Sequence, residues 1–416
     1  MMSQQSTNEY AREVGARYRR ASRLEKSRIL NEFCKTGKYN RKYAIGLLWN
    51  PPSSRAVPIR RPRATVYGKE ERTSLTRLWE ISNGLCSKRL IPFLPELITA
   101  LERHEEISLT EQTRQKLLTI SPATADRLLA TVRRSLPNHG LSTTKPGTLL
   151  RNQIPIHTHY SWDDHKPGFF EIDLVAHCAE SAAGEFCYTF TLTDIATGWT
   201  ECQSLANRGQ NSVVEGIARV RQILPFTMLA IDSDNGSEFI NHHLVRYCAE
   251  HELTFTRSRP YKKNDQCHVE QKNWTVVRQH IGYGRYEGAE ECRLLQRVHS
   301  WLRLHINFFQ PSLKLIYKER DKDNAAKVRK EYDQARTPYQ RLLATGVMDK
   351  ETTTEMKTFY ESLNPVEILE RLNAAIRGLQ KAQAVRLRSE SLLLHEPSGK
   401  EIETGLREEV QSEVSR

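Results

Sequence analysis

The sequence predicts a multidomain protein with an all-α N-terminal region, a central α/β domain on a mixed sheet, and a mostly α-helical C-terminal region. A chain of 416 residues exceeds one ordinary domain. Two stretches, 51–66 (PPSSRAVPIRRPRATV) and 137–160, are rich in Pro and other turn-forming residues and separate patterned segments. The hydrophobic period is helical up to about 136, strand-like from Phe169, and helical again from about 288. The expected divisions are two helical units at 1–50 and 67–136, an α/β domain at 161–310, a C-terminal helical region at 311–393 and a disordered tail at 394–416.

Composition narrows the class. Lys+Arg 62 against Asp+Glu 50 gives +12 and a pI near 9.3, which favours a polyanionic partner. The excess is concentrated early, because residues 11–63 hold fifteen Lys or Arg against only Glu13, Glu25 and Glu32. The eight cysteines contain no CxxC pair, so they read as free thiols of a reducing compartment, with no structural zinc. No apolar run approaches the length of a membrane span and no signal-peptide core is present, so no membrane partner and a cytoplasmic setting are expected.

The first helical unit opens with Ser22-Arg-Leu-Glu25, a capping-box pattern, followed by the stripe Leu24, Ile29, Leu30 and Phe33. Gly37 is the expected stop. Asn40 caps the next helix, where Tyr43, Ala44, Leu47 and Leu48 recur at helical spacing. Helix, Gly-containing turn and basic helix form a helix-turn-helix pattern, with Arg41 and Lys42 in the first turn of the second helix. In the linker 51–66, four prolines impose an extended backbone from which Arg60, Arg61 and Arg63 project, an arm suited to a narrow A·T-rich minor groove. The unit at 67–136 offers Leu75, Leu78 and Trp79, then Leu94, Leu97, Ile98 and Leu101 in a helix read over 94–106. Its sharpest piece is SPATADRLL, with Ser121 as N-cap and Pro122 at N1. Leu128, Leu129 and Val132 then face inward. Thr124, Arg127, Arg133 and Arg134 are left for a phosphate or base edge.

The central domain reads as strands Phe169–Val175, Phe186–Leu192 and Trp199–Leu205, a helix at 210–223, strand Met228–Ile231, a helix at 238–250, strand Leu253–Thr256 and one long helix at about 266–282. Periodicity alone supports no more than a mixed α/β sheet domain. Beyond it, Val366, Leu369, Leu372, Ala375, Ile376, Leu379 and Val385 form a long apolar stripe that suits packing or pairing between protomers.

Three acidic residues carry the chemistry. Asp173 lies in FFEIDLV, Asp234 in AIDSDNGSEF and Glu270 in NDQCHVEQKNW, with 35 residues between the last two. Three carboxylates on separate elements of a basic chain suit two divalent ions that clamp the attacking and leaving oxygens of a phosphodiester. Alternation puts Glu171 on the same face as Asp173, and Asp232 lies two residues before Asp234. Glu171 is a rival carboxylate, and Asp232 reads as a satisfied acid at a strand end.

The words around these acids, and their spacing, closely resemble the catalytic core of retroviral integrases and of the bacterial insertion-sequence transposases that share it, over roughly residues 155–310. The resemblance implies a ribonuclease-H-like domain with Asp173, Asp234 and Glu270 as catalytic metal ligands. It implies two Mg²⁺ ions per site, replaceable by Mn²⁺. The helix at Glu270 would face the element's end, making Asn273, Trp274 and Arg278 candidates for DNA contact, with Arg259, Lys262 and Lys263 on the loop before it. SPATADRLL resembles the second helix-turn-helix of such transposases.

The function implied is a DNA transposase that binds the terminal inverted repeats of its element and catalyses 3′-end cleavage and strand transfer into target DNA. Its partners would be double-stranded DNA, both element ends and target, and further copies of itself, as a dimer or higher. A bacterial, nucleoid-associated location follows. The alternative is a non-catalytic DNA-binding regulator derived from a transposase. A nuclease without strand transfer leaves the N-terminal units without a role.

Overall fold

The computed structural model describes residues 4–52, 66–134, 166–234, 236, 238–258, 267–320 and 328–395. The linker 51–66 with Arg60, Arg61 and Arg63, most of 137–160, the loop with Arg259, Lys262 and Lys263, and residues 396–416 lie largely or wholly outside these. The chain divides into two compact units, residues 1–66 and 67–416.

The first unit is three helices, α1 (Gln4–Arg20), α2 (Arg23–Gly37) and α3 (Arg41–Trp49). Its core joins Ala11 and Tyr18 to Ile29, Leu30, Phe33, Ala44 and Leu48. Ser22 accepts from Glu25 N–H and Asn40 from Lys42 N–H, as N-caps do. The stop of α2 differs from the expected one. Gly37 is the last helical residue, and Lys38 takes the left-handed conformation at φ 54°. Gly37 is needed for space instead, because a Cβ there would lie 2.7 Å from the Tyr39 ring. The Arg19 guanidinium donates to the Leu48 carbonyl at 2.9 Å, satisfying the C-terminal end of α3.

The second unit opens with α4 (Lys69–Ile81), α5 (Ser87–Arg103), α6 (Glu111–Leu118) and α7 (Pro122–Arg133). Helix α5 starts seven residues before the expected Leu94 and carries Pro92 and Pro95 inside it. Each proline removes one backbone donor. The burial of Leu90, Phe93, Leu94, Leu97, Ile98 and Leu101 outweighs that loss. These helices do not form a core of their own: Leu75, Leu94 and Leu129 belong to the same apolar cluster as Phe170, Phe190 and Phe308.

The sheet is built from β1 (Phe169–Ala176), β2 (Tyr188–Asp194), β3 (Thr200–Leu205), β4 (Ala230–Ser233) and β5 (Thr254–Arg257), in the order β3-β2-β1-β4-β5. β1 pairs antiparallel with β2 and parallel with β4, and β5 continues parallel to β4. This is the ribonuclease-H-like arrangement. Phe170, Ile172, Phe190 and Leu192 pack toward α8 (Gln210–Ile223) and α9 (His242–Glu250). On the other face, Val175, Cys187 and Cys202 meet α12 (Gly288–Phe309) and α15 (Pro365–His395), and the helical segment from α10 (Cys267–Lys272) through a π-helical turn (Asn273–Arg278) to α11 (Gln279–Ile281). The single long helix read at 266–282 is thus interrupted by a π turn.

Helix α12 seals the exposed edge of β3. The Asn307 amide bonds both the N–H and the C=O of Thr200 at 2.9 Å, and Gln296 accepts from Ser204 N–H at 2.8 Å. Glu201, buried on the same strand, receives Arg303 Nε on both oxygens at 2.7 and 2.9 Å and Trp199 Nε1 at 2.7 Å.

The C-terminal region is mostly helical, as expected, and adds one hairpin that the sequence reading did not contain. Pro311 follows the end of α12, and Leu315–Arg320 (β6) and Val328–Tyr332 (β7) pair as an antiparallel hairpin before α13 (Pro338–Thr345) and α14 (Lys350–Ser362). Much of the apolar stripe of α15 packs within the chain, while Val385 stays 55% exposed. Leu372, Ala375 and Leu379 are buried in one cluster with Leu295, Val298 and Leu302 of α12. The seven cysteines whose side chains are described are free. Among the described residues no helix is long and apolar enough to cross a membrane.

Arg303→Leu leaves the Glu201 carboxylate buried without its cation, so the variant is expected to lose about 3 kcal/mol of stability. Denaturant unfolding measures this beside Arg371→Leu, which removes an exposed pair with Glu367. Equal losses in the two variants would refute the role assigned to the buried pair.

Candidate active site: a carboxylate group at the end of β1 and β4

The parallel register pairs Ile172 with Ser233. The next residues along the two strands are Asp173 and Asp234, so the sheet itself brings these two acids side by side. Open sheets present ligands at the carboxyl ends of their strands. Asp234 sits in a tight turn, where its Oδ1 accepts the Gly236 N–H at 2.8 Å. Gly236 leaves room that no other residue does, since a Cβ would stand 2.8 Å from Asp234 Oδ1 and 2.7 Å from the Glu238 carboxyl carbon.

Glu270 arrives from the opposite side, on α10. A carboxylate on β1 fixes that helix: buried Glu171 accepts the Val269 N–H at 2.8 Å through Oε2. A negative group at the open N–H end of a helix is favoured by both hydrogen bonding and the helix dipole. Glu171, the rival carboxylate in FFEIDLV, therefore holds the backbone beside Glu270. One turn further on, Asn273 donates its amide to Asp173 Oδ2 at 2.6 Å, while Asp173 Oδ1 accepts the Leu174 N–H at 2.7 Å. The Asn273 carbonyl oxygen is buried without a hydrogen-bond partner among the described residues.

Electrostatics gives the group its character. Burial, then the charge of Asp234, and further those of Glu270 and Glu238, push the Asp173 carboxyl up to about 8. Asp234 is raised by burial and by Glu238 and Glu270. Ionisation of Asp173 and Asp234 is thus opposed by burial and by the neighbouring acids, and the hydrogen bonds that these two accept among the described residues come from amides. Such a group attracts a hard divalent cation, whose ligands are carboxylate oxygens. Among the described residues no three His, Cys, Asp or Glu stand close enough to share one ion. Asn235, Ser237 and residues 259–266, which flank Asp234 and Glu270, are not among them.

Asp232 is fully buried and accepts from Thr256 Oγ1 at 2.6 Å, an acid satisfied within the sheet. Glu238 is the acid that sequence reasoning passed over. Its signal was its place four residues after Asp234 in DNGSE, beyond a glycine that lets the chain turn back.

The remaining predicted residues fall in several places. Trp274 stands 48% exposed on the π turn, beside Asn273. Arg278 is tied inward, donating to the Ala176 carbonyl at 2.8 Å and lying over the Tyr283 ring. Thr124 and Arg127 lie on α7, where Arg127 Nη2 donates to Thr124 Oγ1 at 3.0 Å. Arg133 is engaged by Asp126, by the Ser87 hydroxyl and by the Trp79 ring. Arg41 and Lys42 are exposed at the start of α3 in the first unit, with Arg41 donating to Asn31. Within the second unit, the structure does not bring Thr124 or Arg127 of α7 into the carboxylate group.

Residues 163–263 match the model of the integrase core domain. The uncharacterized protein y4rM of Sinorhizobium fredii (strain NBRC 101917 / NGR234) is 43% identical over 319 residues, which is 77% of this chain and 91% of that protein. The chain belongs to the integrase-core family of DDE transposase/integrase-type proteins. Solved structures similar to it include the catalytic core domain of BIV integrase, at 18% identity and a TM-score of 0.30 over 43% of this chain and 95% of that one. The HTLV-2 integrase catalytic core domain in complex with magnesium is similar at 12% identity and a TM-score of 0.27, over 35% and 90% of the two chains. The integrase-core match begins just before β1 and ends before α10, so it takes in Asp173 and Asp234 and stops short of Glu270.

The raised pKa of Asp173 makes the stability of the metal-free integrase-core protein depend on pH. An unfolded aspartate titrates near 3.9, so folding takes up a proton between about pH 4 and pH 8 and stability falls across that window. Asp173→Asn removes this contribution. Asp173 is half-buried, so solvent screens part of the repulsion, and the expected gain at pH 9 is about 1–2 kcal/mol, with little change at pH 4. Thermal unfolding in chelator at both pH values measures it. A difference between variant and wild type that is the same at pH 4 and pH 9 would contradict the assignment.

Proposed function

We propose that the protein is a DNA transposase that binds the terminal inverted repeats of its element and catalyses 3′-end cleavage and strand transfer into target DNA. The reading rests on the adjacency of Asp173 and Asp234 across the sheet, with Glu270 on α10 near enough for its charge to oppose the ionisation of Asp173. A protein that only binds DNA gains nothing from such repulsion, which opposes folding and repels phosphates.

Asp173, Asp234 and Glu270 would hold two Mg²⁺ ions, or Mn²⁺ in their place, and the donor set fits them, being hard oxygens short of positive charge. When bound, the ions supply charge neutralisation at the phosphodiester and acidify the attacking hydroxyl. The chain's own residues do the positioning. Glu171 fixes the first turn of α10 and with it Glu270. Asn273 orients the Asp173 carboxylate so that its lone pairs have one direction. Gly236 allows Asp234 and Glu238 to approach. The reaction needs no covalent protein intermediate, because water and then the freed 3′-hydroxyl are the nucleophiles.

DNA recognition is assigned to the N-terminal helices. Arg41 and Lys42 are exposed in the first turn of α3, and the half-buried Thr124 and exposed Arg127 lie in the first two turns of α7, near the end that a reading helix presents. Arg60, Arg61, Arg63, Arg259, Lys262 and Lys263 remain candidates for backbone phosphates, with Trp274 for the terminal nucleotides. Arg278 is a weaker candidate, given its inward carbonyl partners. Joining two ends to one target requires a dimer or higher assembly on DNA. A nucleoid-associated, cytoplasmic location follows from the substrate.

Asp234→Asn is expected to abolish cleavage and strand transfer while leaving binding to end DNA intact, since the basic residues that bind lie elsewhere. Labelled end DNA in a cleavage assay, beside a gel shift, separates the two. A variant that cuts within about tenfold of wild type, a difference of only about 1.4 kcal/mol in the barrier, would remove Asp234 from the catalytic set. In the same proteins Mg²⁺ should raise the thermal midpoint of wild type more at pH 9 than at pH 6, because the carboxylates must shed protons to bind it.

A further inference from the structure

We infer that a cavity beside the helix carrying Glu270 is a binding site for a phosphate oxyanion. The cavity measures about 200 Å³ and lies between the α4–α5 turn, the α10–π segment and the chain following α12. Gln271, Lys272, Thr275 and Gln279 line it. None of Asp173, Asp234, Glu270 and Asn273 lines it, so this is a separate place from the carboxylate group.

Its charge is one-sided. Arg89, Lys272 and Lys314 line it, and no aspartate or glutamate does so among the described residues. Lys314 is held by the carbonyls of Ile195 and Ala196. Lys272 is different, because its half-buried amine has no hydrogen bond or ion pair among the described residues. The amine lies beside Gly198, where a Cβ would stand 4.0 Å from Nζ. Arg89 Nε donates to the Cys86 thiol at 3.4 Å. Like charges drawn together without a counter-charge are costly in a partly dry site, and a bound anion reverses the sign of that cost.

The chemistry of the walls selects the anion. Two or three cations with neutral donors from Gln271, Thr275 and Gln279 offer more positive charge than one carboxylate needs, and suit an oxyanion with three acceptor oxygens. The first turn of α5 borders the cavity at Arg89. The walls are held in place before any ligand arrives. Asn83 bonds His280 across the gap at 3.1 Å, and Gln310 donates to the Ser82 carbonyl at 2.9 Å. An anion here would tie Arg89 of α5 to Lys272 of α10, and so steady the helix on which Glu270 stands.

The phosphate has two possible sources, free phosphate in solution or a phosphate of the DNA backbone. The full-length protein in chelator is titrated with inorganic phosphate against chloride at constant ionic strength, reading the thermal midpoint. A short duplex is then titrated with and without phosphate. Lys272→Gln and Arg89→Gln are measured beside wild type, two variants guarding against a fold defect in either. Wild type is expected to show a saturable rise in midpoint with phosphate, and each variant about tenfold weaker binding. If the source is DNA, phosphate competes with the duplex and Lys272→Gln weakens duplex binding by about tenfold. If it is free phosphate, duplex affinity is unchanged by either. A midpoint that rises equally with phosphate in wild type and both variants overturns the proposal. So does a wild type that treats phosphate as chloride and a Lys272→Gln variant that binds duplex normally. Divalent ions are absent throughout, so neither result depends on the catalytic carboxylates.

Discussion

Mutual repulsion of carboxylates is the constraint around which the second unit is organised. Asp173 and Asp234 are adjacent because β1 and β4 run parallel, and a parallel pair cannot be slipped without moving every side chain of both strands. The apolar alternation Phe170, Ile172 against Phe190, Leu192 fixes that register, since a one-residue shift would turn those side chains toward α10 and Asp173 toward α8. The hydrophobic core thus holds together charges that would otherwise separate. The stability given up at Asp173 is offset by burial elsewhere in the sheet, which is how functional sites commonly store unfavourable geometry.

The elements with a strong local period were legible in the sequence, and so were the acids. FFEIDLV, the helix at 210–223 and the caps Ser22, Asn40 and Ser121 depend on neighbours within a few residues, and the structure has them in place. What escaped depends on distant partners. The hairpin of β6 and β7 becomes visible only when Leu315 finds Tyr332. The start of α5 was hidden because Pro92 and Pro95 signal a boundary locally, while the cluster around Leu90 and Phe93 outweighs them. The stripe on α15 was readable, but not that α12 covers it.

The same distinction applies within the candidate site. Asp173, Asp234 and Glu270 carry recognisable words, whereas Glu171 and Asn273 owe their roles to contacts 98 and 100 residues away. The resemblance makes Asn273 a candidate for DNA contact, whereas in the structure its amide is bonded to Asp173. The π turn that begins at Asn273 changes the spacing of the residues after it, so Val276 and Val277 stay buried while Trp274 faces out. Single π turns are costly and tend to persist where a function needs that local geometry.

The helix from Cys267 to Ile281 is therefore anchored from three sides. Glu171 holds its first turn to β1, Asn273 joins its middle to Asp173, and His280 near its end bonds Asn83 in the α4–α5 turn. The third contact is the one with consequences beyond the site. Helices α4 to α7 share their core with the sheet, so a force applied at α7 has a packed route to the helix that bears Glu270. Lys272, on that helix, lies where such a force would be felt. If α7 engages DNA as proposed, its packing on the sheet and the contacts of this helix to β1 and to the α4–α5 turn give a physical route to the position of Glu270.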